Sequence, residues 1–121
     1  MIKNNLTYEK SGVNIKAANK FVKFISIISK KTKQNSNFNN IGSFGSITKI
    51  SNKLKNPYIV ASSDGVGTKI EIANLLNKFD TIGIDLVAMN VNDIIVQGAK
   101  PILFLDYISI NKIDLKKLKS I

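Results

Sequence analysis

The stretch "DTIGIDLVAMNVNDIIVQGAKPILFLDY", residues 80–107, decides the architecture. From Thr81 to Ala99 it is long and nearly all apolar, with Asp80 or Thr81 as a candidate N-cap and Gly98 as its end. Pro101 blocks continuation, and "ILFLDYISI" (102–110) reads as a buried strand. Each residue of a helix advances about 100 degrees, so Asn90, Asp93 and Gln97 share one face. Asp85 and Asn92, seven apart, share a neighbouring line. Ile82, Ile84, Leu86, Val87, Met89, Val91, Ile94, Ile95 and Val96 surround these polar residues. A helix this apolar is expected to be largely buried, and its polar stripe then needs a cavity, a ligand, a metal or partner groups. Asp93, flanked by Val91, Ile94 and Ile95, needs a compensating charge, and a hard cation is the simplest one. Asp85 could instead cap or bond nearby backbone. Asn90 and Gln97 could belong to an internal network or a solvent-facing line.

Upstream lies "ASSDGVGTK" (61–69), a strand end that meets an acid and then two glycines. A Walker A loop needs G-x-x-x-x-G-K-[ST], and the order Gly65-Val66-Gly67-Thr68-Lys69 does not match, so a P-loop NTPase is rejected. The physical logic survives without that motif. Glycines let the backbone approach an anion, and consecutive N–H groups can form an anion-binding nest. Lys69 can add a point charge, Thr68 a hydroxyl, and Asp64 a ligand for a metal bridging to phosphates. The bland alternative is a tight turn with a surface lysine. "IGSFGS" (41–46) alone reads as a turn.

Elsewhere, Ile15, Ala18, Val22, Ile25 and Ile28 or Ser29 recur three or four apart, which predicts a helix from about Asn14 to Lys31 with Asn14 as N-cap. Residues 33–40 form a loop by composition. Residues 41–50 and 57–63 lead into strands, 69–78 is ambiguous with a helical turn at Leu75 and Leu76, and Asp114 opens a helix over 114–121. The order helix, strand, strand, helix, strand, helix start is an α+β layout with helices on one side of a sheet.

Composition narrows the chemistry. With no Cys and no His, zinc loses its usual ligands. The formal charge is +10, carried by 18 lysines and no arginine. Readers of nucleic acid favour the planar arginine fork, so a solvated lysine surface is the expectation and nucleic acid is not an expected partner. No stretch reaches the roughly 18 apolar residues of a membrane span, and the N-terminus has no signal-peptide pattern, so a cytoplasmic location is expected. Acids are absent from Lys10 to Ser63, which isolates Asp64 and those that follow.

"DGVGTK" (64–69) followed by the 80–107 block closely resembles the phosphoribosylformylglycinamidine cyclo-ligase family, the PurM-type aminoimidazole ribonucleotide synthetases. "YEKSGVNI" (8–15) resembles the family's N-terminal signature, and "IGSFGS" its glycine-phenylalanine-glycine loop. Lys10 and Asn14 stand where the family often has Asp, and Ser43 where it often has Gly. The resemblance implies ATP-dependent ring closure of formylglycinamidine ribonucleotide to aminoimidazole ribonucleotide, with release of ADP and phosphate. It implies Mg2+ on Asp64 and Asp93, phosphates held by Gly65, Gly67, Thr68 and Lys69 with Asn92 in support, and Asp64, Lys69 and Asp93 as the catalytic set. It further implies a mixed sheet with helices on one face, and a homodimer whose strands form a barrel. On this reading residues 1–121 are the N-terminal part of the ATP-binding and dimerisation domain, and a C-terminal domain is absent from the chain, which alone is expected to be inactive. The rival readings are a sister enzyme of the thiamine monophosphate kinase, selenophosphate synthetase or formylglycinamidine ribonucleotide synthetase type, and a basic non-enzymatic module for polyanions.

Overall fold

The computed structural model of the protein describes residues 7–31, 41 and 45–121. Four helices run along the chain: α1 (Ile15–Lys31), α2 (Lys69–Leu76), α3 (Ile82–Val96) and α4 (Leu115–Ser120). The chain divides into two compact units, Met1–Lys49 with Ile108–Lys119, and Ile50–Tyr107 with Ser120–Ile121.

In the first unit, turns over residues 7–12 lead into α1. The Val13 amide donates to the Tyr8 carbonyl at 2.8 Å and the Gly12 amide to Glu9 at 3.1 Å. Gly12 is required here twice over, because its φ is +87° and a Cβ would stand 2.7 Å from the Asn111 carbonyl oxygen. Asn14 caps α1 as expected, its Oδ1 accepting from the Ala17 amide at 2.9 Å. Ala18, Val22, Ile25 and Ser29 form the half-buried stripe of α1, while Ile15 and Ile28 stay exposed. Phe21 and Phe24 stack with ring centroids 6.4 Å apart, and the Lys119 ammonium lies 5.0 Å over the Phe24 ring. Asp114 opens α4 as expected, with Oδ1 accepting from the amides of Lys116 and Lys117 at 2.9 and 3.1 Å. These two backbone hydrogen bonds hold its carboxyl below the ordinary value of 3.8. Leu118 is the buried residue of α4.

The second unit is organised by a small apolar cluster of Ala73 from α2, Phe79 from the connecting turn and Ile82 from α3, with Val66 packed against it. The ambiguous stretch 69–78 resolves as α2, eight residues long. Both α2 and α3 end in the same device. Past α2, Asn77 takes the left-handed conformation (φ 49°), and the amides of Asn77 and Lys78 turn back to Asn74 and Ala73. Past α3, Gly98 (φ +73°) and Ala99 donate to Ile95 and Ile94 at 2.8 and 3.2 Å. This paired closure satisfies carbonyls that a helix end would otherwise leave open. Gly98 thus ends the helix as read from the sequence.

Two expectations meet a different outcome. Among the described residues no strand forms, so 47–50, 57–63 and 102–110 lack the ladder their patterns predict. A strand is held by backbone bonds to a neighbour and by burial of its apolar face, and 57–63 and 102–110 leave that face exposed. Their apolar side chains stand in solvent, including Ile59, Ile102, Leu105 and Tyr107. The burial expected of α3 is not reached either. Ile82 is its buried residue, whereas Ile84 is 70% and Val96 77% exposed. Periodicity reports what a segment would bury, and only contacting surface makes it buried.

Candidate functional site

The site forms where residues 62–69 lie against α3. Val66 tucks into the Ala73–Phe79–Ile82 cluster and anchors the middle of the loop. The glycines on either side serve other ends. Gly67 has φ +66°, a conformation that costs an L side chain about 1–2 kcal/mol. Around Gly65 no atom stands within 4 Å of where a Cβ would be, so its backbone is open to a ligand. The amides of Gly67, Thr68 and Lys69 donate to no group among the described residues. They precede and begin α2, where orphan N–H groups and the helix dipole favour an anion. Thr68 occupies the N-cap position with no side-chain capping bond, which leaves its hydroxyl for other use.

Three polar contacts tie the loop to α3. Asn90 accepts from the Asp64 amide through Oδ1 at 3.0 Å and donates from Nδ2 to the Asp64 carbonyl at 3.3 Å. The Ser62 hydroxyl donates to Asp93 Oδ2 at 3.0 Å. Lys69, the first residue of α2, pairs with Asp85 Oδ2 on the first turn of α3. Asp85 Oδ2 is enclosed with no hydrogen-bond partner of its own, so the Lys69 charge is what compensates it. Each hydrogen bond adds roughly 0.5–1.5 kcal/mol net, and the Lys69–Asp85 pair, with solvent still reaching both side chains, about 0–1 kcal/mol. The docking is therefore modest in energy and specific in geometry.

Of the residues singled out from the sequence, Asp64, Gly65, Gly67, Thr68 and Lys69 fall on one loop, and Asp93 joins it through Ser62. The Asp64 carboxylate turns to its own chain, Oδ1 accepting from the Gly65 amide at 2.7 Å. The Asn92 side chain is exposed on α3 and makes no hydrogen bond to the loop. Gln97 ends α3 and makes backbone bonds only. Asp85 is neither a cap nor a backbone acceptor but the partner of Lys69. Residues 42–44 of the "IGSFGS" stretch lie outside the described residues. Asn90 and Ser62 are the residues that sequence reasoning undervalued. The signal for Asn90 was its shared face with Asp93; for Ser62 there was none beyond its place two residues before Asp64.

Among the described residues no group of three or more Asp, Glu, His or Cys gathers as a metal cage. The oxygen donors expected for a metal, Asp64 and Asp93, here accept from the Gly65 amide and the Ser62 hydroxyl, and two carboxylates with hydroxyl and backbone oxygens would make a hard, all-oxygen set. That suits Mg2+, which keeps several waters and takes one or two carboxylates alongside substrate phosphates. Among the described residues no helix is long and apolar enough to cross a membrane.

A glycine loop that runs into a helix N-terminus offers unbonded amides, which is chemistry suited to an anion. The family profile described as "AIR synthase related protein, N-terminal domain" matches residues 48–121, and the chain belongs to that family. The chain is 52% identical, over its whole length, to phosphoribosylformylglycinamidine cyclo-ligase of Geotalea uraniireducens, covering 35% of that protein. It is 49% identical over 92% of its length to the enzyme of that name from Syntrophus aciditrophicus, covering 32% of it. Against the same enzyme of Caldanaerobacter subterraneus identity is 50% over 93% of the chain and 33% of the relative. The chain thus spans about a third of the length of these relatives. No solved structure matches it.

Proposed function

We propose that this chain is the phosphate-gripping part of an ATP-dependent cyclo-ligase that closes formylglycinamidine ribonucleotide to aminoimidazole ribonucleotide, releasing ADP and phosphate. The observation that supports the reading is the docking of residues 62–69 on α3, with Ser62 on Asp93, the Asp64 backbone on Asn90, and the amides that open α2 unbonded among the described residues. Family membership and the shared name of the relatives support it and disfavour the sister enzymes.

On this proposal Gly65 and Gly67 let the backbone close on the phosphates, and the amides of Gly67, Thr68 and Lys69 donate to their oxygens. Lys69 adds a positive charge from the end of α2. Asp64 and Asp93 would hold Mg2+, which when bound neutralises phosphate charge. Phosphoryl transfer needs mostly positioning and charge stabilisation, and these residues supply both. Asn92 remains a supporting contact on the proposal, reached by a ligand rather than by the loop. The segments 57–63 and 102–110 become strands of the family's sheet when partners cover them, in a cytoplasmic homodimer. The 121-residue chain by itself is expected to turn over no substrate.

The test is turnover by the protein expressed from its complete gene, given formylglycinamidine ribonucleotide, ATP and Mg2+. Aminoimidazole ribonucleotide forming with one ADP per turnover is expected. ATP consumed with another acceptor and no aminoimidazole product would replace the proposal with a sister activity. Tight, salt-sensitive DNA or RNA binding without turnover would point to the polyanion module.

A further inference from the structure

We infer that Asn90 is a positioning residue: its carboxamide splints the backbone of Asp64 onto α3 and so sets where the Asp64 carboxylate stands relative to Asp93. The inference deepens the function proposed above and rests on it.

Three of the side chain's four hydrogen-bond positions are in use. An asparagine carries one acceptor oxygen and two N–H donors. Oδ1 takes the Asp64 amide at 3.0 Å, and Nδ2 gives to the Asp64 carbonyl at 3.3 Å and to the Leu86 carbonyl at 2.9 Å. The last bond runs back one turn of α3 and fixes the rotamer. The first two grip both backbone groups of a single residue, as a neighbouring strand would. Holding N–H and C=O of one residue fixes the direction of its Cα–Cβ bond, and the bond from the Gly65 amide to Oδ1 at 2.7 Å then sets the carboxylate on it.

The grip is not isolated. Asn90 and Asp93 are three apart and lie on one face of the helix. Asp64 sits on Asn90 and Ser62 on Asp93, so the loop crosses α3 at two points. Two points set register as well as contact: the segment cannot slide along α3 without losing both. No other residue type of this size does the same. Aspartate accepts only, leucine does neither, and glutamine carries its amide one methylene further out.

The test uses the protein expressed from its complete gene, with Asn90→Ala, Asn90→Asp and the unaltered protein compared. Amide hydrogen exchange without metal reads the splint. Asn90→Ala should speed exchange at Asp64 at least 10-fold while amides inside α3 keep their rates. Asn90→Asp retains an acceptor and should keep Asp64 protected. Mn2+ binding in the presence of ATP, followed by electron paramagnetic resonance, reads the consequence. Asn90→Ala should weaken it about 10-fold, and the Mg2+ needed for half-maximal turnover should rise alike, with kcat recovered at saturating metal. A purely structural role would lower kcat and melting temperature together and leave the metal requirement alone. Unchanged Asp64 exchange, or faster exchange with unchanged Mn2+ affinity, overturns the inference. Normal Mn2+ binding by the unaltered protein without aminoimidazole product would sink the proposed reaction instead, and leave the splint standing.

Discussion

Residues 62–97 and residues 101–107 belong to the same unit, yet they fare differently. The first finds its partners within the described residues: Val66 in the apolar cluster, Asp64 on Asn90, Ser62 on Asp93, Lys69 on Asp85. The second leaves Ile102, Leu103, Phe104, Leu105 and Tyr107 between 43% and 89% exposed, with no ladder. Polar side chains close local contacts by reaching a few ångströms across one loop and one helix. A strand needs a whole neighbouring edge, and its apolar face needs another layer. The surface around residues 62–69 can thus be largely set by short contacts, whereas a sheet would need more covering surface.

The largest expected effect breaks the polar half of that comparison. Asp93→Asn keeps shape but removes charge and should lower Mg2+-dependent turnover by about 10²–10³-fold, the scale for losing one preorganised electrostatic group. The melting temperature should hardly move, because Asp93 is exposed and its bond to Ser62 survives in the amide. Next comes the apolar half. Leu105→Asp should shift the full-length protein from dimer to monomer in sedimentation while changing Mn2+–ATP affinity less than about 2-fold. A dimer unmoved by that charge would mean that 102–110 is not an interface strand.

Smaller effects follow along the site. Asp85→Asn removes an ion pair worth about 0–1 kcal/mol and should raise the KM for ATP by up to about 5-fold, with kcat held. Smallest is Asp114, at the start of α4. A carboxyl titration by nuclear magnetic resonance should find it below 3.8. Because the folded value is depressed, its contribution to α4 is full above the ordinary carboxylate value and fades as pH falls through the lowered one. Asp114→Ala should abolish that pH dependence and fray the first turn.

Legibility in the sequence followed the range of the interaction. Caps were readable because they are local: Asn14, Asp114 and Gly98 each act within a few residues. The three- and four-residue spacing found α1, and a long apolar run with a candidate cap and a glycine end found α3. The loop at Asp64 was readable as a break between elements, through its glycines, one of which takes φ +66°. Three things were not readable. Asn77 closes α2 in the left-handed region, a role asparagine fills far less often than glycine. The pairing of Asp85 with Lys69 spans two helices whose meeting depends on the Phe79 turn. Asn90 looked like one more polar residue on a stripe, and only the loop's position shows that it grips a backbone. The strands at 57–63 and 102–110 are legible as pattern, but pattern names only the surface that a segment would bury.

The central claim is that Asp64 and Asp93, from loop and helix, serve one site. A double-mutant cycle on turnover tests it most directly, using Asp64→Asn, Asp93→Asn and both together. If they act as a unit, the double variant should be within about 3-fold of the slower single variant. Losses that multiply, with the double variant slower by the product of the two, would place the two acids in separate tasks and contradict the account.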